Sequence, residues 1–341
     1  MLEPGDTIRV SGTFTNNNLY GPVHDVEVNL SGEGLTAIPV TSSRFTSVAP
    51  KETVTIAWDL TVDEDTNVTR VTPTMTATYQ RGETKGSAER TAHLYVKNVP
   101  QGIAYLSDLG LLEGSYNGHG PMERDMHNGE TNAGDGGPIM IDGVHYTKGL
   151  GTNSNADLQF YLGGRCTEFY TVIGIDDTMT LPDKDPDVVV RIYADEKLVH
   201  ESPVIDGTEA YELSLPVAGA QQLRLTVDQY DDNNWYDRTS WGDAKVFCTT
   251  SSNAINAIHM ESDVERYEAA GEFSSESAVR SLKRHLTAVA RYENKEKAAK
   301  VVKHMESFKL LLDHQRDSEF ISEKAYNVLQ VSADSVIENW Q

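Results

Sequence analysis

Only two cysteines occur among 341 residues, Cys166 and Cys248, and no C-x-x-C spacing is present. That excludes a zinc site built from several thiolates. No apolar run approaches the ~20 residues of a membrane-spanning helix. No basic-then-apolar start marks a signal peptide. There is no G-x-S-x-G, no H-E-x-x-H and no phosphate-binding loop, so the common hydrolase and nucleotide signatures are missing. Paired carboxylates for glycosidic cleavage are available among 52 acidic residues, but no catalytic signature accompanies them.

Positive charge is scarce. Lys and Arg number 29, which leaves a net charge of −23. Residues 98–250 hold 25 acidic and 9 basic side chains, residues 1–97 hold 12 and 8, and residues 251–341 hold 15 and 12. Such a surface repels phosphate backbones and argues against nucleic-acid binding. It serves solubility, and its carboxylates also suit calcium. Met1 stands directly before a strand-like start. We therefore read the chain as the C-terminal part of a longer secreted protein, and expect it outside the cell or at the cell wall.

Three regions differ in period. Residues 1–97 alternate apolar and polar side chains at Thr7–Phe14, Val26–Leu30, Val54–Leu60 and Thr74–Tyr79. Asn- and Gly-rich turns lie between them, which indicates an immunoglobulin-like sandwich with Phe14 and Trp58 inside. Residues 98–250 carry seven to nine strand candidates, including Phe169–Ile175, Val188–Tyr193 and Ala244–Cys248, and fit a jelly-roll sandwich. In residues 251–341 the period becomes helical. Ala278, Leu282, Leu286 and Val289 share one face, and Ala298, Val301, Met305, Phe308 and Leu312 another. Ser322 is a helix N-cap candidate, and the region is expected to form a bundle of three or four helices. The fold class is thus multidomain, mainly β with an α C-terminus.

The most informative stretch is 104–151. A strand-like start runs into a long segment rich in Gly, Asn and Asp, then a hairpin turning at Asp142-Gly143, then Gly149-Leu150-Gly151. A long irregular segment inside a domain is commonly a functional loop. Recognition of a sugar needs a flat apolar surface for the ring and a fan of amides, carboxylates or guanidinium groups for the hydroxyls. Three segments offer this mixture. They are Tyr116, Asn117, His119, Glu123 and Arg124; Thr152-Asn153-Ser154-Asn155; and Asp228 to Trp241 with Asn233, Asn234, Trp235 and Tyr236. Trp241, just before the last strand, reads as core. Glu123 and Arg124 read equally as an internal ion pair.

The order Y-L-S-D-L (105–109), N-G-x-G-P-x-E-R-D (117–125) and Y-x-K-G-L-G (146–151) resembles the NPCBM module, carbohydrate-binding module family 51. This implies a β-sandwich that binds galactose-containing glycans beside an upstream glycoside hydrolase domain. His119, Glu123, Arg124, Asn153, Asn155, Asn233, Asn234, Trp235 and Tyr236 are the candidate contacts. The chain departs from the family pattern at His119, at Asn153 and at 237–241. Modules of this kind often hold one structural calcium ion, for which Asp108 and Asp243 are candidate ligands. In an extracellular setting Cys166 and Cys248 would form one disulfide across the sandwich. P-G-D-T-I-x-V (4–10) with V-A-P-K-E-T-V-T-I (48–56) resembles the NPCBM-associated domain of α-galactosidases, which implies a spacer. A-G-E-F (270–273), the run 282–294 and K-H-M-E-S-F-K-L-L-L-D-H-Q (303–315) resemble the FIMAH domain of secreted Gram-positive hydrolases. The second reading is structural: three domains that space or anchor an enzyme, with a vestigial sugar site.

Overall fold

The computed structural model describes residues 1–129, 131–181, 183–230, 233–250 and 254–341. Two compact units emerge, Met1–Asn98 and Val99–Gln341. In the first, a three-stranded sheet places Thr53–Val62 between Thr7–Thr15 and Leu35–Pro39. It faces a four-stranded sheet ordered Arg44–Val48, Val23–Ser31, Thr74–Arg81, Thr84–Thr91. Inward positions of Thr53–Val62 alternate in burial along the strand, as period-two chemistry requires. Phe14, Val26, Val28, Ile56 and Trp58 form the core.

The second unit opens with a sandwich in which the chain passes back and forth between two antiparallel sheets. One sheet runs Glu123–Arg124, Gly149–Thr152, Thr239–Cys248, Cys166–Ile175, Tyr211–Pro216, and Gly102–Tyr105 also pairs with Thr239–Cys248. The other runs Ala156–Tyr161, Gln222–Gln229, Val188–Ala194, Lys197–Glu201. Phe160, Phe169, Ile173, Leu225 and Trp241 fill the space between them. Ile139–Ile141 and Val144–Tyr146 make a hairpin whose turn, Asp142-Gly143, has φ 49° and 74°. Two successive positive φ values match the right-handed strand twist, which explains why Asp-Gly stands there.

Cys166 and Cys248 are bonded. Contrary to the expectation from the sequence, the link does not cross between the two sheets. It lies within one sheet, because the two residues are register partners on adjacent strands. The strand expected at Ala244–Cys248 begins at Thr239, five residues earlier. A bulge explains the miss: pairing with Cys166–Ile175 shifts between Tyr170 and Val172, and Asp243 sits there with φ 55°.

Four helices follow: α1 Ala257–Ala269, α2 Glu276–Glu293, α3 Ala298–Asp317 and α4 Glu323–Trp340. Asn256, Ser275 and Ser322 accept hydrogen bonds from the first-turn amides of α1, α2 and α4. The expected apolar faces are buried, except that Ala298 at the start of α3 is exposed. The bundle packs onto the sandwich. Glu168, almost fully buried, accepts from Arg266 Nη1 at 2.5 Å, from Tyr267 Oη at 2.8 Å and from the Ser214 hydroxyl. Arg266 also bonds Asp263 Oδ1 at 2.9 Å. Among the described residues no helix is long and apolar enough to cross a membrane.

Candidate functional site

The G-L-G strand and the loop before it fix one end of the sandwich. Gly151 is needed there: a Cβ on it would lie 2.4 Å from the Met126 carbonyl and the Asn128 amide. Glu123, Arg124 and Asp125 each tie down a different segment. The Glu123 carboxylate is buried and accepts the Gly134 amide at 2.8 and 3.0 Å. Burial raises its pKa, and the Gly134 N–H opposes that rise. Arg124 Nη1 donates to the Ser107 carbonyl at 2.6 Å and to Leu106 at 3.3 Å. Asp125 accepts from Lys148 Nζ at 2.8 Å and from the Gly149 amide. Neighbouring residues of a strand point to opposite faces, so Glu123 and Arg124 brace separate parts of the loop. No salt bridge joins the two among the described residues, so the internal ion pair, one of the two readings of the sequence, is not formed.

The three segments singled out in the sequence meet. The Asn153 amide donates to Asn117 Oδ1 at 2.9 Å, and Asn155 Nδ2 donates to Gln229 Oε1 at 2.7 Å. Gly118 presses on the Asn153–Asn155 turn so closely that a Cβ would fall 1.6 Å from the Ser154 carbonyl oxygen. Asn117 and Asn128 both donate to the carbonyl of His119, whose side chain is exposed. Within this contact, Asn128 Oδ1, Asn153 Oδ1 and Ser154 Oγ are buried and have no hydrogen-bond partner. An unpaired buried acceptor is costly, and these oxygens are enclosed by the fold, so a buried water is the partner that fits them.

The 228–238 loop contributes aromatic surface. Trp235 is 69% exposed and meets Tyr236 edge-on at 6.4 Å. Asn233 Oδ1 accepts the Trp235 amide at 2.9 Å, an Asx turn that fixes the indole's backbone. Tyr236 holds φ 71°, and Asn234 is half-buried. Asp231 and Asp232 of the same loop lie outside the described residues. Trp241 is fully buried and its indole N–H donates to Thr152 Oγ1 at 3.1 Å, so it belongs to the core. Sequence reasoning missed Asn128 and reached Ser154 only as part of the 152–155 segment. Their polar side chains, inside turn-rich segments, carry no periodic signal of burial.

Each residue expected to hold calcium also has an ion-pair partner. Asp108 lies 3.0 Å from Lys148 Nζ, and Asp243 lies 2.6 Å from Lys245 Nζ at the bulge. Among the described residues no group of three or more His, Cys, Asp or Glu side chains is placed to bind a metal.

Comparison with known proteins places this geometry. Residues 102–247 match the NPCBM/NEW2 domain model, and residues 257–338 match the FIMAH domain model. The "Putative endo-alpha-N-acetylgalactosaminidase" of Renibacterium salmoninarum is 28% identical over 256 residues, which cover 73% of this chain and 17% of that protein. A CBM51 from Clostridium perfringens GH95, solved in complex with methyl-galactose, is 28% identical; the match covers 42% of this chain and 99% of that one, with a TM-score of 0.38. The CBM51-2 and INT domains of Clostridium perfringens ZmpB, solved with GlcNAc, are 19% identical, cover 85% of this chain and 55% of theirs, and give a TM-score of 0.39. The chain thus carries an NPCBM/NEW2 domain over residues 102–247, followed by a FIMAH domain over residues 257–338.

Proposed function

We propose that this chain is a non-catalytic, glycan-targeting region of an extracellular carbohydrate-active enzyme. Its second sandwich would bind galactosyl or N-acetylgalactosaminyl residues. A catalytic domain would lie elsewhere in the parent protein, an inference supported by a relative of which this chain spans only 17%. One observation carries the reading. The Asn117–Asn153 and Asn155–Gln229 hydrogen bonds gather three amide-bearing segments into a mouth beside a loop that exposes Trp235. Hydroxyls of a pyranose would meet the exposed amides, and its C–H face would stack on the indole. His119 stands at the rim, and Asn233, Asn234 and Tyr236 shape the indole's loop. Glu123 and Arg124 act behind the mouth by holding its backbone.

A shallow site of this kind binds weakly, with Kd on the order of micromolar to millimolar. The test is a glycan array with terminal α- and β-galactosides and N-acetylgalactosaminides, followed by titration of the hits. Trp235→Ala and Asn153→Ala should each weaken binding by about tenfold or more, about 1.4 kcal/mol. Retention of galactosyl glycans by both variants would remove the site from this mouth. Silence of the folded protein on every glycan would favour a spacer or anchoring role. Repeating the array with chelator tests for one structural calcium ion: loss of binding would support it, and unchanged binding would remove Asp108 and Asp243 as its ligands.

A further inference from the structure

The first sandwich carries a cleft of about 560 Å³ at the end of its sheets. Its floor is Phe14 and Tyr79, whose rings lie 5.7 Å apart. Its wall is the turn at 16–21, and that turn is built with unusual care. Buried Asn16 donates through Nδ2 to the Gly21 and Val48 carbonyls, and its Oδ1 accepts the Asn18 amide. Asn18 in turn donates to the Gly21 carbonyl and accepts the Tyr20 amide. Lys51 Nζ holds the Asn17 carbonyl at 3.1 Å. This network presents Leu19 and Tyr20 outward, 63% and 93% exposed. A solvated connection between strands has no need of so much side-chain bracing, nor of two large apolar groups turned to water. Bracing of this kind lowers the ordering cost of binding.

The cleft also carries a positive charge. Arg81, exposed on the cleft's edge, has no side-chain partner among the described residues. Elsewhere in the same sandwich Arg9 pairs with Asp59 at 2.8 Å and Arg44 with Glu27 at 2.7 Å. In a chain of net charge −23 an arginine without an acid, beside exposed tyrosine and asparagine amides, is an open anion receptor.

We infer that this cleft is a second glycan-binding site, selective for a pyranose that bears a carboxylate. The sugar face stacks on Tyr20, Arg81 takes the carboxylate as a two-point pair, and Asn17 and Asn18 meet the hydroxyls. The site is separate from the mouth on the second sandwich and does not depend on it. Hexuronates and sialates share the required chemistry.

The full chain is titrated calorimetrically at low salt with a glucuronate-terminated oligosaccharide, a sialate-terminated one and a neutral galactoside. At least one acidic ligand should bind, with Kd below about 10 mM. Whichever arm responds identifies the source of the carboxylate. Arg81→Gln and Tyr20→Ala should each weaken that binding by about tenfold or more, with thermal unfolding unchanged because both side chains are exposed. Trp235→Ala should leave it intact, and Arg81→Gln should leave any neutral galactoside binding intact. Silence of both acidic ligands overturns the inference. So does acidic binding that survives Arg81→Gln, or that disappears only with Trp235→Ala.

Discussion

The two sandwiches bury different things. Among the described residues, Asn16 is the only buried polar side chain of the first. The second buries Asn128, Asn153, Ser154, Glu168, Asp176, Asp237 and Ser240, among others. Apolar alternation is enough to specify a small sandwich with short turns. The second must also hold long loops and receive a helical bundle, and it does so with buried hydrogen bonds. Asp176 shows the device. Its carboxylate accepts from the Thr178 amide and hydroxyl, the Met140 amide and the Ser240 hydroxyl. That one side chain fastens the Asp142-Gly143 hairpin to the sheet. Interiors of this type are specific but intolerant, because a group left unpaired costs its full desolvation.

The sharpest way to break the comparison is at Glu168. Glu168→Ala strands the Arg266 guanidinium and the Tyr267 hydroxyl, and the expected cost is about 3–5 kcal/mol. Urea unfolding followed by Tyr and Trp fluorescence should show the loss in the second unit, with the first unit's transition in place. A shift shared by both units would mean they do not unfold separately.

A smaller effect is expected from Asp263, whose pKa burial raises, with the Arg266 charge opposing. A raised carboxyl pKa means its contribution to stability is present below the ordinary aspartate value of about 3.9 and is lost as pH rises through the higher folded value. Asp263→Asn should therefore flatten the stability profile on the rising side of about pH 4. Parallel profiles for the two proteins would show that Asp263 is already charged in the folded state. The smallest effect belongs to the first sandwich. Arg9→Ala removes an exposed pair with Asp59 and should cost less than about 1 kcal/mol, by thermal melts in low salt. A larger loss would mean that the first sandwich leans on polar contacts after all.

Legibility in the sequence followed the same division. Four strands of the first sandwich, its buried Trp58 and Phe14, the Asp142-Gly143 turn, the Ser322 cap and the burial of Trp241 were readable, because period, turn chemistry and capping are local; the strands Leu35–Pro39, Arg44–Val48 and Thr84–Thr91 were not. The start of the strand at Thr239 was not. Thr239, Ser240 and Gly242 are buried without apolar alternation, and their partners lie far away in the chain. The hydrogen-bond partners of Glu123 and Arg124 were hidden for a related reason. Residue type announced polar contacts, but only the fold reveals that the partners are the backbone at Gly134, Leu106 and Ser107. The lysines beside Asp108 and Asp243, Lys148 and Lys245, were equally hidden, because nothing in sequence chose them over others.

The strand Thr239–Cys248 is the last of its sandwich and lies in the middle of its sheet. It pairs with Gly149–Thr152 and Gly102–Tyr105 on one side and Cys166–Ile175 on the other. Until it emerges from the ribosome, the first strand of the domain has no neighbour and the sheet is in two parts. Assembly therefore waits for residue 248, across contacts of long sequence separation, the arrangement that slows folding. During synthesis the first sandwich can close early, while the second stays open and dependent on protection from aggregation.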